Sequence, residues 1–215
     1  MSDREPVNIM GVIAFPNPNK DERVIRFIDS EYHTLFTIKD GESIVITRFD
    51  GEKMVFPCKY IDDCHVCIGN SAYHICEFAE MQERNGNTYV PSAPKISDEI
   101  GTYEIYQIPA TADVDYYFRS YEAAKGKLRS ADYQRSYAGM YAKGNSLEDL
   151  WAKHNRDSRP FAHRMRSMSV SDIVVLTQGG RKTAYYADTI GFKKAPEFLA
   201  QQRVQKKHKE RGEAR

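Results

Sequence analysis

The sequence predicts an α+β fold: a small antiparallel β-meander plus a helix, followed by a second α+β domain with short strands and several helices. Four observations carry this. Four short runs rich in β-branched and aromatic residues lie close together, Val24–Asp29, His33–Ile38, Ser43–Arg48 and Met54–Tyr60. Asp40-Gly41 and Asp50-Gly51 stand between successive runs, and Asp-Gly is a strong hairpin signal. Ala72, Ile75, Cys76 and Ala79 fall at i, i+3, i+4 and i+7, the spacing of a core-facing helical stripe. In the second half, Ile173–Leu176, Gly179-Gly180 and Ala184–Ala187 read as strand, turn and strand.

Taken in order, residues 1–90 form the first unit. Leu35–Ile38 is expected to pair with Ile44–Thr47 across Asp40-Gly41. His65–Ile68 supplies a further strand. Ser71 is expected to cap a helix that runs to about Arg84 and stops at Asn85-Gly86-Asn87. Pro91, Pro94 and Ser97 mark a linker over 91–101. The second unit spans 102–200. It opens with a strand, Thr102–Ile108, ended by Pro109. Residues 115–143 are expected to be helical, with a break near Gly126 or Ser130. Tyr133, Tyr137 and Tyr141 would then share one buried stripe. Leu147–Asn155 is a short helix capped by Asn145 or Ser146. Ser169-Val170-Ser171-Asp172 resembles a capping box with Asp in the last position. Asp188–Gly191 is a turn before Phe192, and residues 201–215 are a basic tail, helical or frayed.

Composition is that of an ordinary globular chain, 41% hydrophobic and 28% charged. No apolar run approaches the roughly 20 residues of a membrane span, so no membrane partner is expected. Met1-Ser2-Asp3-Arg4-Glu5 supplies no basic region ahead of the apolar Ile9–Phe15 stretch. A secretory leader is therefore not expected, and a cytoplasmic location is. Net charge is +1, but residues 1–95 hold 10 Lys/Arg against 15 Asp/Glu, and residues 96–215 hold 21 against 15. A basic second half suits an anionic partner. Much of the excess is the tail: Arg203, Lys206, Lys207, Lys209, Arg211 and Arg215 face only Glu210 and Glu213. A solvated tail is the simpler account.

Two constellations could carry chemistry. Cys58, Cys64, Cys67 and Cys76 all lie in the first unit, and Cys64-His65-Val66-Cys67 is a C-x-x-C, which invites a zinc reading. Val66 and Ile68 favour an extended strand, however, which sends Cys64 and Cys67 to opposite faces. Reduced structural cysteines are expected, and no metal or other cofactor. The other constellation is His154, Arg156, Arg159, His163, Arg164 and Arg166. Arginines at close intervals can grip phosphate or an acidic protein surface. Ten tyrosines share the second unit with them, and Arg with Tyr serves both base stacking and protein hot spots. Arg156, Arg159, Arg164, Arg166 and His163 are the candidate partner-binding residues. No catalytic residue is assigned. A nucleophilic Ser169 or Ser171 served by His163 or His154 would need a strained elbow of the G-x-S-x-G kind, and none surrounds either serine. The chain has no phosphate-cradling glycine loop, no H-E-x-x-H and no dinucleotide fingerprint.

The run SMSVSDIVVL at Ser167–Leu176, followed by AYYADTIGF at Ala184–Phe192, resembles the signature of YodL-like domains. YEIYQIP at Tyr103–Pro109, DVDYYFRSYE at Asp113–Glu122 and LEDLWAKHN at Leu147–Asn155 extend the resemblance over about 103–198. Arg166 stands where the family pattern has a glycine before its S-x-S-V-S-D core. The stretch VIRFIDSEYHTLFTIKDGESIVITRFDGE, continuing to YHICEFAEMQERNG, resembles a small domain associated with large polyvalent proteins, over about 22–86. Such proteins are encoded on conjugative elements, plasmids and phages. The resemblances imply a non-enzymatic accessory protein of a mobile genetic element. It would bind a host-defence or mobile-element protein, with anti-CRISPR or anti-restriction inhibition as the specific expectation. Nucleic-acid binding through the basic, Tyr-rich second half is the first alternative, and a small zinc-binding module the second.

Overall fold

The structure is a computed structural model and describes residues 7–9, 12–14 and 23–212. It is α+β. Strands β1 (Val7–Ile9) and β2 (Val12–Ala14) pair antiparallel. Strands β3 (Val24–Ile28) and β4 (Thr34–Lys39) form a separate two-stranded ribbon. Their turn is closed by Asp29, whose carboxylate accepts from the Glu31 and His33 amides at 2.9 and 2.8 Å.

The expected pairing of β4 with β5 (Ser43–Thr47) does not occur. β5 lies between β6 (Lys53–Tyr60) and β9 (Thr88–Pro91); with β7 (His65–Ile68) and β8 (Ser71–His74) they form a five-stranded sheet ordered β8-β7-β6-β5-β9. Both edges of β5 are filled, and β4 already has β3. Asp40-Gly41 is therefore a corner between sheets. The Gly41 amide donates to the Cys58 carbonyl at 2.9 Å, and the Asp40 carboxylate accepts from the Tyr60 amide at 2.7 Å. The Asp50-Gly51 hairpin forms as expected, with Gly51 at φ +94°, a conformation glycine adopts at little cost.

Strand β7 (His65–Ile68) is extended, and β8 (Ser71–His74) pairs with it. Ser71 is thus a strand residue and not a helix cap. Helix α1 (Ile75–Arg84) starts four residues later, where His74 Nδ1 accepts from the Cys76 amide at 3.3 Å. Its buried face is Ile75, Phe78, Ala79 and Gln82, with Cys76 only half-buried. Phe27, Ile44, Phe78 and Tyr89 centre the first core. Part of the expected linker is structured: Pro91 ends β9, and α2 (Pro94–Ser97) is a single turn with proline at its start.

The second sheet is ordered β11-β10-β12-β13-β14, with β10 (Thr102–Gln107), β11 (Gln134–Met140), β12 (Ile173–Gln178), β13 (Arg181–Ala187) and β14 (Phe192–Lys194), all antiparallel. The helix expected over 115–143 is replaced by α3 (Tyr121–Ala124), one 3-10 turn at Ser130–Asp132, and strand β11. Tyr133 and Tyr137 enter different cores, so they are not one stripe. Within this strand Gly139 marks a close approach: a Cβ there would lie 2.6 Å from the Tyr137 ring and 3.1 Å from Tyr103. The sheet is buried on both faces. Helix α4 (Leu147–His154) and the chain after it cover Tyr103, Ile105, Val174 and Leu176. Helix α5 (Pro196–Gly212) covers Ile173, Val175, Ala184 and Tyr186 through Phe198. Of the two caps expected for α4, Asn145 and Ser146, it is Ser146 that starts the helix, in a capping box with Asp149. Among the described residues no helix is long and apolar enough to cross a membrane.

The two sheets meet along a seam. Met140 packs in the first core, and its sulfur accepts from the Tyr89 amide at 3.4 Å. Arg135 of β11 donates to the Phe49 carbonyl, and Tyr137 donates to the Glu83 carbonyl at 3.4 Å.

Candidate functional site

The arginine-bearing segment is the chain between α4 and β12. Three apolar residues anchor it: Phe161, Met165 and Met168 are all buried. Phe161 sits at φ +60° and packs 4.9 Å from the Phe49 ring, across the seam. Between the first two anchors Ala162, His163 and Arg164 are exposed, whereas Arg166 and Ser167, between the second and third, are half-buried.

Its N-terminal end lies on the seam. Helix α4 turns Leu150, Lys153 and His154 inward, an i, i+3, i+4 face with two polar members. Lys153 meets Glu83 of α1 at 2.6 Å, with both side chains 11% exposed. Arg156 meets Glu31 at 2.7 Å. A cleft of about 390 Å³ opens beside these pairs, lined by Glu80, Arg84 and Arg159 among others. His154 is fully buried, 2.8 Å from the Tyr103 hydroxyl and under the Tyr137 ring. Burial, reinforced by Lys153, Arg156 and Arg159, holds its pKa down at about 3, so the imidazole is neutral at pH 7.

The C-terminal end is the signature corner. Asp172 is fully buried and accepts from the Arg166 guanidinium at 3.0 Å, the Gln107 amide at 2.8 Å and the Ser169 backbone at 2.9 Å. Burial pushes its carboxyl up, opposed by Arg166 and these donors. Strand β12 begins at Ile173 as expected, and the capping-box-like Ser169–Asp172 is a tight turn before it, in which the carboxylate caps the Ser169 amide. Ser171 takes φ +80° with no exposed surface. Its hydroxyl accepts from the Phe118 amide at 3.2 Å, and its carbonyl accepts from the Tyr133 hydroxyl at 2.9 Å. Phe118 itself stands at φ +57° and is 55% exposed. It stacks on Tyr117 at 3.9 Å, with Arg166 5.6 and 5.9 Å from the two ring centres.

The five candidate residues are therefore not one cluster. Arg156 and Arg159 go to the seam cleft. His163 and Arg164 are exposed beside the Phe161 ring, at 4.9 and 6.0 Å. Arg166 turns inward to Asp172. The nucleophile reading brings nothing together: the Ser171 hydroxyl serves Phe118, and His154 serves Tyr103. The cysteines are also dispersed. Cys58 is buried, with its thiol pushed up to about 12 by burial; Cys64 is exposed, and Cys67 and Cys76 are half-buried. Among the described residues the one set of three potential metal ligands within 4.8 Å of one another is Asp29, Glu31 and His33, and Asp29 there is occupied as the turn acceptor. Sequence reasoning missed Glu31, Glu83 and Arg84, which reach the loop only through the seam. It also missed Phe118, although Tyr117 was among the tyrosines weighed; the local signal was three adjacent aromatics, Tyr116-Tyr117-Phe118, before Arg119-Ser120.

Residues 102–198 match the YodL-like domain family, which places the resemblance of the second unit on the sheet, α4 and the signature corner. No curated protein and no solved structure matches the chain.

Proposed function

We propose that this chain is a non-enzymatic accessory protein of a mobile genetic element, working in the cytoplasm by binding a protein partner, as a counter-defence inhibitor of CRISPR or restriction systems. The observation that carries the binding reading is Phe118. An aromatic residue in the left-handed region costs on the order of 1–3 kcal/mol, and a ring left 55% exposed forgoes much of the burial that would offset that cost. The fold nevertheless holds it there, through Ser171, Tyr117 and Arg166. A rigid aromatic pair beside a pre-oriented guanidinium has the composition of a protein hot spot. The mobile-element context rests on the YodL-like match and on the resemblance of residues 22–86 to a polyvalent-protein-associated domain.

The test is phage plating on bacteria that carry a restriction or CRISPR system and express this protein. Wild type is expected to restore plating against one of these systems. Phe118→Asn is expected to reduce that protection by about 30-fold, the size of a hot-spot loss. Plating at the empty-vector level in every system would overturn the counter-defence reading. Undiminished protection by the variant would overturn Phe118 as its binding surface.

A further inference from the structure

We propose that the seam cleft is a binding site for a small organic phosphate, gripped by Arg84 from the first unit and Arg159 from the second. The cleft, about 390 Å³, is within the size range of small-molecule sites, which favour the boundary between two packed units. Its walls carry Lys153, Arg156, Arg84 and Arg159 against Glu31, Glu80 and Glu83. Among the described residues Lys153 and Arg156 are the two of these cations already ion-paired, with Glu83 and Glu31. That leaves two guanidinium groups facing one carboxylate. Planar guanidinium forks match phosphate oxygens in pairs, and the Ser30 and Ser158 hydroxyls on the same wall offer further donors. Glu80 stands ready to accept from a hydroxyl on the organic part of the ligand, which favours a sugar phosphate over phosphate alone. The site uses neither Phe118 nor Arg166.

Calorimetric titration of the full chain with ribose 5-phosphate, and with ribose as the uncharged control, tests this. Ribose 5-phosphate is expected to bind and ribose to give no heat. Arg159→Gln and Arg84→Gln should each weaken binding roughly 10- to 100-fold, the cost of removing one charge-assisted contact. Both should keep the wild-type Tm, and Arg164→Gln should bind as wild type. Phe118→Asn should bind as wild type too, which separates this site from the protein-docking surface. Absence of binding at about 10 mM would overturn the proposal. So would wild-type affinity in Arg159→Gln, or equal binding of ribose.

Discussion

The two ends of the segment between α4 and β12 carry the same residue type in opposite employment. At the seam, Arg156 reaches a half-exposed Glu31 across from it, and Arg159 lines an open cleft. At the signature corner, Arg166 turns onto a carboxylate with no exposed surface and becomes part of the scaffold for Phe118. Spacing cannot separate these arginines. What separates them is the burial of the group each one faces. An exposed ion pair contributes little to stability, whereas a buried carboxylate commits its partner, because removing either leaves an uncompensated charge.

Breaking each end in turn should expose that difference. Asp172→Ala is expected to cost about 3–5 kcal/mol, since Arg166, Gln107 and the Ser169 amide all lose their acceptor together. Glu31→Ala, at the other end, should cost less than about 1 kcal/mol. Denaturant unfolding of both variants measures the contrast. Equal losses would mean that the corner is not the scaffold described.

The part of the fold legible in the sequence was the part specified locally. The Asp50-Gly51 hairpin, the Ser146 cap of α4 and the Gly179-Gly180 turn each depend on residues adjacent in the chain, and each formed where expected. The errors fell where distant partners decide. β5 takes β9 as its second neighbour, a strand some forty residues on, so nothing near Asp40-Gly41 could reveal that it is a corner. β11 was misread because Ser136 to Met140 are all buried. Two-sided burial erases the alternation that marks a strand and leaves only the four-residue spacing of the tyrosines. The site was split in the same way. Its arginines were visible, but the acids that sort them lie in the other unit or inside the turn.

A second contrast lies in acid. His154 titrates near 6.5 when unfolded and at about 3 in the fold. Between those values the unfolded chain holds the extra proton, so the contribution of His154 to stability is intact above 6.5 and is lost as pH falls toward 3. The loss at pH 5 relative to pH 8 is about 2 kcal/mol. His154→Gln keeps a hydrogen-bonding partner for Tyr103 and has no proton to gain. Its stability difference between pH 8 and pH 5 should be smaller than that of wild type by about this amount. Parallel curves for the two proteins would show that burial does not hold the His154 imidazole neutral in the fold.

The smallest expected effect is the most diagnostic. Phe118→Asn removes a ring that stacks on Tyr117 and lies near Arg166, contacts worth roughly 0.5–1 kcal/mol each at exposed sites. It also places in the left-handed region a residue that tolerates it far better, and relief of strain of order 1–3 kcal/mol offsets the lost contacts. Unfolding free energy should therefore stay within about 0.5 kcal/mol of wild type, while protection in the plating assay falls. A residue retained for packing would behave the opposite way: its loss would lower stability and leave binding untouched. A drop of about 2 kcal/mol with full protection would make Phe118 a structural residue like Asp172, and would move the search for a partner surface to the seam end of the loop.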